Sequence, residues 1–371
     1  MQGIYIHIPF CKSRCIYCDF YSTTLLHLRE KYVRNLCHEM DLRHAYLPDE
    51  EYSTVYIGGG TPSQLTPAQI DTVISHLYAT FHISPDAEFT IEMNPDDITP
   101  ESIQHLKGLP VNRISMGIQT FSDRRLSFLH RRHSAQQAID AVRLCQDNGF
   151  TNISIDLMFG FPDETLDDWK SDVSEALSLH VPHISAYSLM YEEGTTLTRM
   201  LTEGKIQEIP DELSRQMYDH LCDTLHDNGY EHYEISNFCL PGYHSRHNSS
   251  YWESIPYIGL GAGAHSFNGD SRQWNSRMEN GNWSVEDREV LTPVQKYNEL
   301  IMTRLRTSKG ISLDNLENCF GEYFSKVRSL LERHLADNNL HIDKGTNYLA
   351  LTRKGIYISN LVISDLMISE E

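Results

Sequence analysis

The sequence predicts an α/β protein built from βαβ units and followed by a smaller α+β, winged-helix-like region. Two observations carry this reading. Six apolar, β-rich runs alternate with five helix-like stretches through the first half of the chain. Such alternation implies crossover connections and a parallel sheet. Beyond residue 292 the order changes to helix, helix, hairpin.

Gly3–Ile8 is the first strand, an apolar alternation closed by Pro9. Leu25–Tyr46 reads as a helix and Thr54–Ile57 as the second strand. Pro67–Phe81 is a helix opened by Thr66-Pro67, since proline fits the first helical position. Glu88–Met93, Arg113–Ile118, Asn152–Phe159 and His183–Met190 are the remaining strands. Between them lie helices at Pro100–Lys107, Ser134–Asn148 and Thr165–Leu179. Asp147-Asn148-Gly149 supplies a stop signal for the second of these. After Gly194 the alternation fades, and Tyr230–Phe238 reads as one added strand. Pro293–Thr307 and Glu322–Asn338 read as helices, Leu340–Leu351 as a hairpin, and Thr352–Leu361 as a last helix. The expected divisions are 1–193, 194–291 and 292–371.

A net charge of −20 argues against a nucleic-acid backbone as partner, so the C-terminal region is expected to pack or to meet a protein. No apolar stretch is long enough to span a bilayer, and the chain is not expected to be an integral membrane protein. The first cysteine motif begins too near residue 1 to leave room for a signal peptide. Cys37, Cys145, Cys222, Cys239 and Cys319 are scattered and read as free thiols. A reducing cytoplasm is therefore expected.

Chemistry concentrates after the strands. Cys11, Cys15 and Cys18 follow the first strand in the spacing C-x3-C-x2-C. A disulfide cannot use three cysteines evenly. Zinc would need a fourth ligand, for which His7 is nearest. Three thiolates this close can instead converge on an iron–sulfur cluster, leaving one iron open. Gly58-Gly59-Gly60-Thr61-Pro62-Ser63 follows the second strand, where glycines let a ligand approach the backbone. The same run would serve as a tight turn. Glu92 ends the third strand and Gly117-Ile118-Gln119 the fourth. Arg131 carries a fork suited to a carboxylate. Asp156 lies in an apolar strand and needs a partner there.

The cysteine triad after a first strand resembles the radical S-adenosylmethionine (SAM) superfamily, and Tyr17 matches that superfamily's habit of an aromatic before the last cysteine. The resemblance implies a 4Fe–4S cluster on Cys11, Cys15 and Cys18, with SAM chelated at the open iron and cleaved on reduction. It also selects a partial (β/α)6 TIM-like barrel, where the spacing alone would equally allow a doubly wound sheet. Functional residues are then expected at the C-terminal ends of the strands. The runs Tyr5–Cys11, Gly58–Ser63, Glu92–Pro95, Gly117–Gln119 and Ile155–Gly160 resemble the HemN/HemW family of oxygen-independent coproporphyrinogen III oxidases and related heme chaperones. By that resemblance Tyr5, Gly59, Gly60, Thr61, Glu92, Gln119, Arg131 and Asp156 are expected to contact SAM.

Three features resemble the chaperone branch. Phe20 stands where the oxidases carry a further cysteine, and the long N-terminal extension of the oxidases is missing before Cys11. Arg246-His247-Asn248-Ser249-Ser250-Tyr251-Trp252 precedes a glycine-rich run ending at His265-Ser266-Phe267. A neutral imidazole is a common heme-iron ligand, so His247 is the candidate axial ligand. Tyr251 and Trp252 could pack a flat macrocycle. The resemblance implies a heme chaperone that delivers heme to membrane-associated respiratory hemoproteins, with dimerisation governed by the cluster. A coproporphyrinogen oxidase is the alternative, and a cluster-bearing DNA binder the third reading.

Overall fold

The computed structural model describes residues 2–48 and 51–369. Strands β1 (Gln2–Ile8), β2 (Tyr52–Gly59), β3 (Ile83–Met93), β4 (Arg113–Gln119), β5 (Ile153–Phe159) and β6 (His183–Ser188) run parallel, each beside the next. The crossovers carry helices α1 (Arg29–Arg43), α2 (Pro67–Thr80), α3 (Pro100–Lys107), α4 (Asp123–Phe128), α5 (Ala135–Asp147) and α6 (Leu166–Ser178). The six expected strands and five expected helices are all present; the short α4 is additional. Capping boxes open α2, α3, α5 and α6 at Thr66, Thr99, Ser134 and Thr165, satisfying donors that the first helical turn leaves free.

The two faces of the parallel strands differ in kind. Ile4, Ile6, Ile8, Val55, Ile57, Phe89, Ile91, Ile114, Met116, Ile153 and Ile155 are buried in one core with the crossover helices. Successive residues point to opposite faces of a sheet. The alternate positions are polar: Tyr5, Tyr56, Glu92, Ser115, Asp156 and Ser185 line cavities on the inner face. That polar inner face is the surface on which a site can be built.

The middle of the chain departs most from expectation. Helices α7 (Thr196–Thr202) and α8 (Asp211–Asp227) lead into the hairpin β7 (Glu231–Glu234) and β8 (Asn237–Cys239), where a single strand was expected. The turn at Ile235-Ser236 divides it, and β8 pairs antiparallel with β6. Helix α9 (Arg246–Trp252) then precedes β9 (Tyr257–Leu260), β10 (His265–Phe267), β11 (Ser271–Asn275) and β12 (Val285–Val290). Strand β9 lies parallel beside β1, and the rest extend that edge antiparallel. The result is one twelve-stranded sheet in the order β12-β11-β10-β9-β1-β2-β3-β4-β5-β6-β8-β7.

The C-terminal region is α+β as expected. It holds α10 (Pro293–Arg304), β13 (Ile311–Ser312), α11 (Leu313–Lys326), α12 (Arg328–Ala336), β14 (Leu340–Asp343), β15 (Tyr348–Leu351), α13 (Arg353–Tyr357) and α14 (Ser359–Asp365). The helix expected at 322–338 is two helices, because Val327 leaves helical geometry (φ −101°, ψ 4°). The last helix likewise breaks at Ile358 (φ −120°). Tyr297, Ile301, Leu316, Leu349 and Val362 form a second core. No described helix is long and apolar enough to cross a membrane.

Candidate functional site

The three cysteines lie on the loop that leaves β1, and backbone bonds fix that loop at several points. Cys11 N–H donates to Thr23 O (2.9 Å) and Thr23 N–H returns to Pro9 O (2.7 Å). Ile16 N–H reaches Leu129 O (3.3 Å), and Leu197 N–H reaches Ile16 O (2.9 Å). All three thiols are free, partly buried, and line one cavity of about 240 Å³. Burial holds the Cys11 thiol above its ordinary value, and nearby Cys15 adds to this. Burial likewise pushes Cys18 up to about 11, with Cys15 and Cys11 contributing. Burial opposes the charged forms of Cys11 and Cys18, and a cation bound between the thiolates would offset that cost. The donor set therefore fits a metal–sulfur cluster held by three thiolates.

The rest of that cavity comes from the ends of neighbouring strands. Gly60 follows β2, and a Cβ there would lie 2.7 Å from the carbonyl carbon of Pro9, so only glycine lets the two loops touch. Gly59 sits at φ +107°, a conformation side chains rarely adopt. Thr61 Oγ1 lies 3.5 Å from Cys11 Sγ and accepts from Asn94 Nδ2 (3.2 Å). Asn94 Oδ1 accepts in turn from Arg131 Nη2 (2.9 Å), whose Nη1 reaches Cys15 Sγ (3.6 Å). Arg131 also donates to Gly117 O, while its Nε is buried without a partner. Gln119 is held at φ +74°, just past a register shift between β4 and β5, which turns it into the cavity wall.

Two carboxylates face this space. Glu92 Oε1 accepts from Tyr56 Oη (2.6 Å) and Oε2 from Gly59 N–H (3.0 Å). Burial pushes Glu92 up to about 7, against those bonds and with Asp156 adding. Burial also lifts Asp156 to about 6, opposed by a bond from Ser185. Tyr5 donates toward His7 Nδ1 (2.9 Å) and stacks on Tyr56 at 6.2 Å. A ligand with hydroxyl or ammonium donors would satisfy both carboxylates; a carboxylate would satisfy Arg131. Tyr5, Tyr17, Gly59, Gly60, Thr61, Glu92, Gln119, Arg131 and Asp156 all line the cavity that holds the cysteines. Sequence reasoning passed over Asn94 and Tyr56. Asn94 stood in the quoted Glu92–Pro95 run, and Tyr56 at an inner position of β2.

A second cavity of about 560 Å³ opens from the first and shares Tyr5, Tyr17, Cys18, Glu92, Gln119 and Asp156 with it. Its volume falls within the range of small-molecule sites. His247 and Tyr251 line it, on the short α9. The helix is pinned by Glu88, whose carboxylate accepts from the backbone N–H of Arg246 (3.0 Å) and His247 (2.9 Å). His247 is 2% exposed. Its Nδ1 meets Thr54 Oγ1 (2.8 Å) and its Nε2 meets Tyr251 Oη (2.9 Å). Burial lowers its pKa to about 3, so the ring is neutral. As placed it has no free nitrogen for a metal, and ligation would require breaking one of these bonds. Trp252 is absent from the lining and lies under the Arg306 guanidinium, 5.4 Å from its ring centre. It packs toward the C-terminal region, contrary to the expectation that it meets a macrocycle.

The family model of the radical SAM superfamily matches residues 5–176, and that of the HemN C-terminal domain matches residues 291–358. A heme chaperone HemW of Lactococcus lactis is 33% identical over 376 residues, covering 100% of this chain and 98% of that protein. The Bacillus subtilis heme chaperone HemW is 32% identical, with 98% of each chain covered. That of Escherichia coli is 36% identical over 71% of this chain and 69% of its own. Among solved structures, the Escherichia coli coproporphyrinogen III oxidase (HemN), a radical SAM enzyme, superposes with a TM-score of 0.84 at 22% identity, covering 99% of this chain and 90% of that one. At that identity the likeness speaks for the fold alone.

Proposed function

Because the chain belongs to the HemW heme chaperone family within the radical SAM superfamily, we propose that it binds heme, a 4Fe–4S cluster and SAM, and hands the heme to other hemoproteins. The observation that carries this is the pair of joined cavities, one holding three convergent thiols and one large enough for a flat ligand. When bound, the cluster supplies an open iron for SAM and an electron for its cleavage. Cys11, Cys15 and Cys18 hold it. Arg131, which lines that cavity, receives the carboxylate end of SAM, and Glu92 and Asp156 accept from its donors. Tyr5, Tyr56 and His247 form an aromatic wall for heme, His247 stacking on Tyr56 at 5.2 Å. The recipients are membrane-associated respiratory hemoproteins, reached from the cytoplasm, and the working form is a homodimer.

Heme titration of the anaerobically reconstituted protein, followed by difference absorbance, tests the central step. Saturable binding is expected. Because both nitrogens of His247 are engaged, His247→Ala should keep the position of the main heme band and weaken binding less than about tenfold, the scale of one hydrogen bond. Loss of that spectrum would restore His247 as the axial ligand, and absence of saturable binding would sink the chaperone reading. The rival, an oxygen-independent coproporphyrinogen III oxidase, requires anaerobic formation of protoporphyrinogen, and robust turnover would displace the proposal.

SAM binding should depend on pH in a set direction. Glu92 titrates near 7 in the free site, so it is largely neutral at pH 6 and charged at pH 8. A cationic ligand with hydroxyl donors prefers the charged form, so affinity should rise across that window by roughly tenfold. Calorimetry on Glu92→Gln should give a weaker and flatter profile. An unchanged slope in that variant would remove Glu92 from the SAM site.

A further inference from the structure

Arg113 opens β4 on the inner face of the sheet, in register with Thr90 of β3. It is 2% exposed and lines the larger cavity. A guanidinium stays ionised and carries five donors in a fixed fork. Among the described residues no carboxylate lies within ion-pair distance of it, and its Nε has no hydrogen-bond partner. The hydroxyl of Thr90, fully buried, also lacks a partner. Other arginines of this chain are held differently. Arg125 sits among three carboxylates, and Arg131 is held by Asn94 and Gly117.

An uncompensated buried cation is costly, and a bound anion would relieve that cost. The histidines beside it are neutral: burial lowers both His183 and His247, and Arg113 adds to the effect. Burial keeps Glu92 and Asp156 high in pKa, so they offset the charge only in part near neutral pH. Ser115 on the same wall offers a further hydroxyl donor.

We infer that Arg113 anchors a carboxylate of the ligand in the larger cavity, so that this cavity selects a flat macrocycle bearing propionate-type side chains. This rests on the heme reading above and adds the chemical feature that is recognised. The planar fork takes both carboxylate oxygens at once, which a lysine cannot do.

The test compares hemin with its dimethyl ester, in which both propionates are blocked, on the full-length, cluster-reconstituted protein. Wild type should prefer hemin by roughly tenfold to a hundredfold, the scale of a charged hydrogen-bonded pair. Arg113→Gln should abolish that preference by weakening hemin alone, with the ester unchanged, and Arg113→Lys should fall between. The thermal midpoint of Arg113→Gln should match or exceed wild type, since an unpaired buried charge has been removed. Equal weakening of both ligands in Arg113→Gln would reduce the residue to packing and overturn the proposal. Equal affinity of wild type for both ligands would overturn it while leaving heme binding intact. Failure of either ligand to saturate wild type would overturn the heme reading, and this inference with it.

Discussion

Cys15→Ala abolishes the iron–sulfur absorbance of the anaerobically reconstituted protein, and its iron content falls from roughly four per chain to a small residue. Cys15 is the middle thiol of the triad and the one that Arg131 Nη1 approaches at 3.6 Å. Two remaining thiolates cannot hold a cluster that already leaves one iron without a protein ligand. SAM affinity should fall with the cluster, because the open iron is then gone. The surface thiol of Cys319 is exposed and far along the chain, so Cys319→Ser should keep full absorbance and serves as the control. A full cluster in Cys15→Ala would refute the site assignment. A partial, oxygen-labile cluster would mean that solvent or another side chain completes the set.

Much of this was readable because the fold obeys simple periods. Ile4, Ile6 and Ile8 alternate with Tyr5 and His7, and the alternation announces both the strand and its two unlike faces. Glu92 and Asp156 were legible for the opposite reason, as carboxylates set in apolar strands where they need a partner. The strands between 257 and 290 were not legible. Val285–Val290 reads VEDREV and is exposed almost throughout, and His265–Phe267 has only three residues. Their pairing is set by distant neighbours, β9 joining β1 across more than half the chain, and no local period records that. His247 shows the limit of residue type. The same neutral imidazole serves a metal or a hydrogen-bond network, and only the positions of Thr54 and Tyr251 distinguish the two. Arg113 escaped notice because arginine at the start of a strand is ordinary until its neighbours are known to leave it unpaired.

The largest loss of stability should come from Arg125→Met, at about 3–5 kcal/mol, the scale for stripping one partner from a buried charge cluster. Arg125 is 4% exposed and lies 2.9 Å from Asp168, 3.6 Å from Glu164 and 3.8 Å from Asp172. Those carboxylates do more than balance its charge. Asp172 accepts from Thr120 Oγ1 (2.6 Å) and Phe121 N–H (3.0 Å), fixing the turn just after Gln119. Glu164 accepts from Gly160 N–H (2.6 Å) and Phe161 N–H (3.1 Å), fixing the exit from β5. One arginine thus holds the ends of the two strands that carry Gln119 and Asp156 into the site. Burial already raises Glu164 to about 7 despite Arg125, so its ionisation weakens the fold as pH rises from the ordinary glutamate range through 7. Without the guanidinium that rise becomes larger. The deficit of Arg125→Met should therefore be smallest near pH 5 and greatest near pH 8 in urea unfolding. Adding Glu164→Gln should recover part of it at pH 8, since the amide keeps an acceptor for Gly160 and Phe161 without the charge. A deficit independent of pH would mean that lost packing against Phe161, rather than stranded carboxylates, sets the cost. The loss should also reach the site: SAM binding by Arg125→Met should weaken even where the protein remains folded, because Gln119 holds its left-handed conformation only while Thr120 and Phe121 are tied down.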